Sequence, residues 1–193
     1  MTAFEFVLLL FNVVPGQRIE GRTKLQKVAY FFGLHLGAGG ALGYRPHYYG
    51  PYSSDVADAA SMLASLGFLS ETVSPGPLDE KGFERRKYVY ELTEEGKEAA
   101  KVIAKHAEPG FVSRLQNAVK ELRAVIETDY MPLSFAAKVL WLTKGRLDSE
   151  NGMVQEKAET TGWKLDDTQI ADARHFIEKL SEHGFHPSMS VSP

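Results

Sequence analysis

The sequence predicts a mainly helical α+β fold in which two helices precede a two-stranded hairpin. The spacing of Thr23 and Gln26 is that of a capping box, and apolar residues recur at helical intervals after it. A second helix is predicted over residues 53–66, because serines suited to an N-cap precede an apolar stripe. Segments 68–73 and 87–92 are rich in strand-forming residues and flank a turn-rich stretch. A helix, a turn, a helix and a hairpin in this order are typical of a winged helix-turn-helix domain.

The first element predicted is a buried helix over residues 4–14, which are almost wholly apolar and are followed by Pro15-Gly16. This stretch is shorter than the roughly 20 residues that cross a bilayer. It also lacks the positive start of a signal peptide and contains Glu5 and Asn12. We therefore expect no membrane association.

The two helices of the turn motif differ in charge. The first places apolar side chains on one face, and Lys24 and Lys27 are expected on the opposite, solvated side. A tyrosine-rich segment at 44–49 then leads through Gly50-Pro51 to the second helix, where Ser53 or Ser54 is the expected cap. The second helix carries acidic side chains and no basic ones.

The end of the first domain is predicted from turn-forming residues. Thr93 is suited to cap a helix that runs to about Ala107, and Glu108-Pro109-Gly110 then forms the expected domain boundary. We therefore predict a winged helix-turn-helix domain with a two-stranded wing at 1–107 and an all-helical C-terminal domain at 108–193. A two-heptad seam in the second domain predicts either a dimer interface or packing on a neighbouring helix. Its members are Val112, Leu115, Val119, Leu122 and Ile126. The first alternative would make the chain a homodimer, with the C-terminal domain serving dimerisation or sensing.

Composition excludes several kinds of site. The 193 residues include no cysteine, which excludes disulfides and thiolate-bound zinc and agrees with a reducing, cytoplasmic location. The six histidines are scattered, and neither an H-E-x-x-H nor a G-x-S-x-G motif occurs. We therefore expect no enzymatic activity, no metal site and no cofactor.

Basic side chains are concentrated before and along the first helix of the motif and on the hairpin, although the net charge is −3. Such a layout suits contact with phosphates better than the reading of bases. The residues expected to contact duplex DNA are Arg22, Lys24, Lys27, Tyr52, Ser53, Ser54, Arg85, Arg86 and Lys87. The alternatives are a solvated helix face for the lysines and a solubilising hairpin edge for the basic strand. The tyrosines at 44, 48, 49 and 52 are expected either to stack on a base or sugar or to pack between helices.

Four short motifs resemble a known family. They are K-L-Q-K-x-x-Y-F at 24–31, Y-G-P-Y-S at 49–53, L-G-F-L at 66–69 and L-T-E-E-G at 92–96. Together they resemble the YwgA-like predicted winged-helix regulators and, more distantly, PadR-type regulators. The first two are similar to motifs of the Panacea domain of antitoxins. The resemblance covers about residues 20–105 and implies a winged-helix fold and a regulatory role, while dimerisation through C-terminal helices, as in PadR-type proteins, would suit the heptad seam.

Two functions are expected from these observations. The first is a transcriptional regulator that binds duplex DNA mainly through backbone contacts. The alternative is a protein-interaction module, such as an antitoxin or adaptor, that uses the same frame to bind a partner protein. The acidic helix at 53–66 and the negative net charge favour the alternative.

Overall fold

The computed structural model describes residues 1–78 and 84–188, with side chains for the same residues apart from 77, 78, 84 and 85. The described part is mainly helical and includes a small antiparallel sheet. The helices are α1 (Ala3–Val13), α2 (Arg22–His35), α3 (Ser54–Ser65), α4 (Glu94–His106), α5 (Phe111–Glu121), α6 (Arg123–Glu127), α7 (Tyr130–Thr143), α8 (Asn151–Thr160) and α9 (Asp167–Glu182). The strands are β1 (Arg18–Glu20), β2 (Leu69–Leu78) and β3 (Glu84–Leu92).

The sheet has the strand order β1-β3-β2, and both pairings are antiparallel. The two predicted strands are present as β2 and β3, and the pairing of Val73 with Tyr88 sets their register. Strand β1 was not predicted, because three residues are too few to show an alternating pattern. Ile19 lies opposite Tyr90 in that pairing and is buried. The predicted tip of the hairpin, at 79–83, lies outside the described residues.

The predicted caps at Ser53 and Thr93 are confirmed, and Asp166 caps a further helix. The side-chain oxygens of Ser53, Thr93 and Asp166 accept hydrogen bonds from backbone N–H groups in the first turns of α3, α4 and α9. At α4 the cap also brings two backbones together, since a Cβ added at Gly96 would lie 2.1 Å from the carbonyl oxygen of Phe68. The glycine of the L-T-E-E-G motif is therefore required by close packing.

The predicted capping box at Thr23 is wrong. Helix α2 begins one residue earlier, at Arg22, with Gly21 as its N-cap and no side-chain capping bond. Gly21 has a φ of 97° and donates its N–H to the carbonyl of Tyr88 in β3, at 2.7 Å. The hydrogen bond to the sheet therefore fixes where the helix starts, and the side chain of Gln26 takes no part in capping it.

The core begins at α1, whose central residues are buried, and this helix packs against α3, α4 and α5. Helix α2 is buried over ten consecutive residues, Leu25–Leu34, because the turn before α3 covers one side of it and α7 another. Residues on both sides of the predicted boundary at 107/108 belong to one hydrophobic cluster. No helix in the described residues is long and apolar enough to cross a membrane.

The predicted heptad seam does not form an exposed dimer surface. Leu115, Val119 and Leu122 are buried in the core of their own chain, while Val112 and Ile126 are half-buried against it. The helical conformation is also interrupted at Leu122, between α5 and α6, so the seam does not lie along one helix. Of the two predicted alternatives, packing on neighbouring helices is the one observed, and the oligomeric state stays a prediction.

Candidate functional site

The tyrosine-rich segment before α3 forms a narrow two-stranded turn. Arg45 and Tyr52 exchange two backbone hydrogen bonds of 2.8 and 2.9 Å. Inside this pair, His47 and Gly50 exchange a second set of backbone bonds, of 3.2 and 2.8 Å. Gly50 has a φ of 95°, a backbone conformation that is strained for residues with a Cβ atom, so a glycine suits this position. We call residues 45–53 the tyrosine turn.

Gln26 of α2 holds the end of the tyrosine turn. Its side-chain amide donates to the carbonyl of Ser53 at 2.9 Å and accepts from the N–H of Ser53, also at 2.9 Å. Both residues are buried. The Ser53 hydroxyl donates to the carbonyl of Leu42 and accepts from the N–H of Val56. Ser53 is therefore a structural cap, and the prediction that it contacts DNA is wrong because no part of it reaches the surface.

Lys27 is the second residue of α2 that holds the turn. Its Nζ donates to the carbonyl of Pro51 at 2.6 Å, and only 1% of its surface is exposed. Among the described residues, no carboxylate lies within salt-bridge distance of it. Burial lowers the pKa of the Lys27 ammonium to about 7, with a smaller contribution from the nearby charge of Lys138. The prediction that Lys27 lies on a solvated face and contacts phosphate is therefore wrong.

The C-terminal helices support the opposite side of the tyrosine turn. The indole N–H of Trp163 donates to the carbonyl of His47 at 2.7 Å. A Cβ at Gly50 would meet Cγ of Lys138 at 3.1 Å and the carbonyl oxygen of Ser134 at 3.3 Å, so α7 lies directly against the turn. Burial lowers the pKa of Lys138, whose Nζ lies 5.6 Å from the ring centre of Trp163. The turn is thus held between α2 and the helices that follow residue 108.

A cavity of about 330 Å³ opens beside the tyrosine turn, between α2, α3 and β3. Its apolar wall is formed by Leu25, Ala57 and Ala60. The polar side chains that line it are Arg22, Gln26, Lys27, His47, Tyr49, Tyr52, Ser61 and Tyr90, together with Thr23. Tyr52, predicted to contact DNA, is partly buried here, and its ring lies 4.9 Å from that of His47.

Arg22 stands at the edge of this cavity and is held by the sheet. Its Nε donates to the hydroxyl of Tyr90 at 3.2 Å, and an Nη lies 3.4 Å from Glu71. The guanidinium also stacks over the ring of Tyr88, 3.8 Å from its centre. Burial and the hydrogen bond with Glu71 raise the pKa of Tyr90 to about 12, although Arg22 opposes this. Arg22 is exposed but its charge is already shared with a carboxylate and an aromatic ring.

The basic residues of the sheet are interleaved with carboxylates. Lys87 pairs with Glu20 at 2.7 Å, and that hydrogen bond lowers the pKa of Glu20. Arg18 contacts both Glu20 and Glu91, at 2.9 and 3.4 Å. Arg86 is exposed and Lys24 is partly exposed, while Arg85 lies in β3 but its side chain is outside the described set. Because carboxylates neutralise Lys87 and Arg18, the positive electrostatic potential available to attract phosphate is reduced.

The outer face of α3 is acidic and apolar. Asp55 and Asp58 are exposed on it, and Met62 and Leu66 are each 55% exposed. Ser54, predicted to contact DNA, is exposed at the start of the helix. The hydroxyls of the serines farther along the helix donate to backbone carbonyls of α3 itself, which leaves little donor capacity for a partner. We call this set of four side chains, Asp55, Asp58, Met62 and Leu66, the α3 face.

Two residues that build the site, Lys138 and Trp163, were not predicted from the sequence. His47, Lys138 and Trp163 come together only through the tertiary packing of the turn against the helices after residue 108. The run of apolar residues from Val28 to Leu34 was the one signal that α2 is covered on several sides. Among the described residues, no three histidine or acidic side chains are grouped to hold a metal ion.

No protein-family model, curated protein or solved structure matches this chain with significant similarity.

Proposed function

We propose that the chain is a protein-interaction module on a winged helix-turn-helix scaffold, and that the α3 face binds a partner protein. Residues 1–107 would form the scaffold, with the helices after 108 supporting the tyrosine turn. The order α1-β1-α2-α3-β2-β3 supports this assignment, because it places a helix pair before a hairpin of two long strands. The motifs similar to the Panacea domain of antitoxins agree with a partner that is a protein.

The observation that carries the proposal is the chemistry of the α3 face. In a helix-turn-helix protein that reads DNA, the second helix of the motif enters the major groove. Arginine, lysine, asparagine and glutamine make the usual contacts to base edges, and Ser54–Ser65 contains none of them. Two exposed carboxylates on this helix would instead repel the phosphate backbone.

The same face fits a protein partner of defined chemistry. Met62 and Leu66 are large apolar side chains exposed one helical turn apart, and methionine adapts to varied surfaces. Asp58 lies one turn before Met62, so a partner that presents apolar side chains flanked by lysine or arginine would complement both features. The partner surface is therefore proposed to be basic at its rim and apolar at its centre.

Site-specific photo-crosslinking in the cells that produce the protein tests this proposal. A photoreactive phenylalanine analogue would replace Met62, and the matched control would carry it at Val102 of α4, which is also 55% exposed. We expect one discrete protein adduct from position 62 and none from position 102. The adduct would then be identified and the complex rebuilt from purified proteins. Equal labelling from both positions, or adducts only with nucleic acid, would contradict the proposal.

A second candidate function, DNA binding through backbone contacts, is favoured by one observation. Exposed Arg18, Arg22, Arg86 and Lys87 lie on or beside the sheet, and Lys24 is partly exposed nearby. Fluorescence anisotropy with a random-sequence duplex tests it, using a Lys24→Gln/Arg86→Gln double variant and a Lys101→Gln/Lys105→Gln control on α4. If DNA is the partner, affinity falls steeply with salt and only the first double variant weakens it.

A further inference from the structure

The cavity beside the tyrosine turn has the size and lining of a small-molecule site. Its volume of about 330 Å³ lies at the lower end of the range in which proteins hold small ligands. Leu25, Ala57 and Ala60 give the cavity an apolar lining, and polar groups reach it from α2, α3, β3 and the turn. A small apolar body with one polar end would match both kinds of lining.

The charge in this cavity is unbalanced. Lys27 lies in the cavity wall, almost fully buried, and its ammonium has three N–H groups of which the structure pairs one, with the Pro51 carbonyl. Among the residues whose side chains the structure describes, no aspartate or glutamate lines the cavity. A buried ammonium without a counter-charge is costly, because desolvation is not repaid by a partner. An anion entering the cavity would supply that partner.

Cationic side chains around Lys27 also favour an anion, although the charge of Arg22 is shared with Glu71. Arg22 lines the same cavity near the start of α2, Lys138 approaches from α7, and His47 reaches it from the turn. The hydroxyl of Tyr52 in the turn is a further hydrogen-bond donor in the lining. A cation would meet like charge here, and a neutral ligand would leave the buried ammonium unpaired.

We propose that this cavity binds a small organic carboxylate, with its carboxylate against Lys27 and its apolar body against Leu25, Ala57 and Ala60. A carboxylate suits the two remaining N–H groups of Lys27, because its two oxygens can accept both of them. The apolar wall requires a body of a few carbon atoms, such as an aromatic ring. This site is independent of the α3 face, and its binding can be measured on the purified chain without any partner.

Isothermal titration of the full chain with sodium benzoate tests the assignment, with benzyl alcohol as the neutral probe of the same shape. We expect saturable binding of benzoate at millimolar or lower concentration and at least about tenfold weaker binding of the alcohol. Lys27→Met keeps the stem of the side chain and removes the charge, so it should weaken benzoate binding by about tenfold or more. Lys24→Met is the matched control, because Lys24 lies on the same helix but does not line the cavity.

A second variant separates loss of the site from loss of the fold. Ala57→Met fills the cavity without removing any charged group, and it should abolish benzoate binding while the far-ultraviolet circular dichroism stays unchanged. The proposal is overturned if wild type shows no saturable benzoate binding up to about 10 mM. The proposal is also overturned if benzyl alcohol binds as tightly as benzoate, or if Lys27→Met and Lys24→Met bind benzoate with equal affinity.

Discussion

Gln26 and Ser53 lie 27 residues apart, yet they exchange two hydrogen bonds of 2.9 Å between one side-chain amide and one backbone peptide pair. The amide of Gln26 thus imitates a neighbouring strand for the chain entering α3. Lys27 repeats the contact one residue later through the carbonyl of Pro51. The side chains of the L-Q-K motif therefore hold the backbone of the Y-G-P-Y-S motif in place through hydrogen bonds.

Replacing Gln26 with leucine should destabilise the fold strongly. The change leaves the N–H of Ser53 buried without a partner and removes one of the two hydrogen bonds to its carbonyl, which keeps the N–H of Ala57. We expect a loss of about 1–3 kcal/mol in the free energy of unfolding. Urea denaturation followed by circular dichroism measures it. Gln116→Leu, at an exposed position of α5, is the control and should change stability by less than about 0.5 kcal/mol. Equal free energies of unfolding for the two variants would show that the hydrogen bonds of Gln26 do not stabilise the fold.

The burial of Lys27 should appear in the pH dependence of stability. Its pKa is about 7 in the folded chain and about 10.4 in an unfolded one, so between these values the unfolded chain binds the extra proton. The free energy of unfolding therefore rises with pH above about 7, by about 1 kcal/mol per pH unit, through this group.

Lys27→Met removes this titration, so the stability of wild type relative to the variant should increase from pH 7 to pH 9. Groups common to both proteins cancel in the difference, and Lys24→Met serves as the control with no such slope. Thermal or urea unfolding at several pH values measures the difference. A constant difference across this range would mean that Lys27 keeps its proton in the folded chain.

The glycine of the L-T-E-E-G motif offers a test of backbone packing. Gly96→Ala places a Cβ 2.1 Å from the carbonyl oxygen of Phe68, so the start of α4 has to move away from the hairpin. We expect a loss of about 2 kcal/mol or more in the free energy of unfolding. Gly152→Ala is the matched control, because a Cβ at Gly152 in α8 meets nothing within 4 Å. It should leave stability unchanged or raise it by up to about 1 kcal/mol.

Local features of the fold were predictable because they depend on neighbouring residues. The caps Ser53 and Thr93 follow from side-chain chemistry within four residues, and the apolar run of α1 identified a buried helix. The capping box at Thr23 failed because Gly21 is tied to β3, a contact that no local pattern contains.

The site was less predictable, because burial is a tertiary property. Lys27 follows the polar spacing of an amphipathic helix, but the tyrosine turn and α7 cover that side of α2. The heptad seam was read correctly as apolar, and its residues are buried within one chain because α5 and α6 pack on their neighbours. A pattern of apolar residues does not distinguish a partner helix of the same chain from one of another chain.

The central claim, that the α3 face binds a protein, is tested most directly by the dissociation constant of the complex rebuilt from the purified chain and its crosslinked partner. Met62→Lys places a positive charge at the centre of the face, and we predict that it raises the dissociation constant at least about tenfold. Val102→Lys makes the same change at a residue of equal exposure on α4 and should alter it by less than about twofold. Equal dissociation constants for wild type, Met62→Lys and Val102→Lys would contradict the claim.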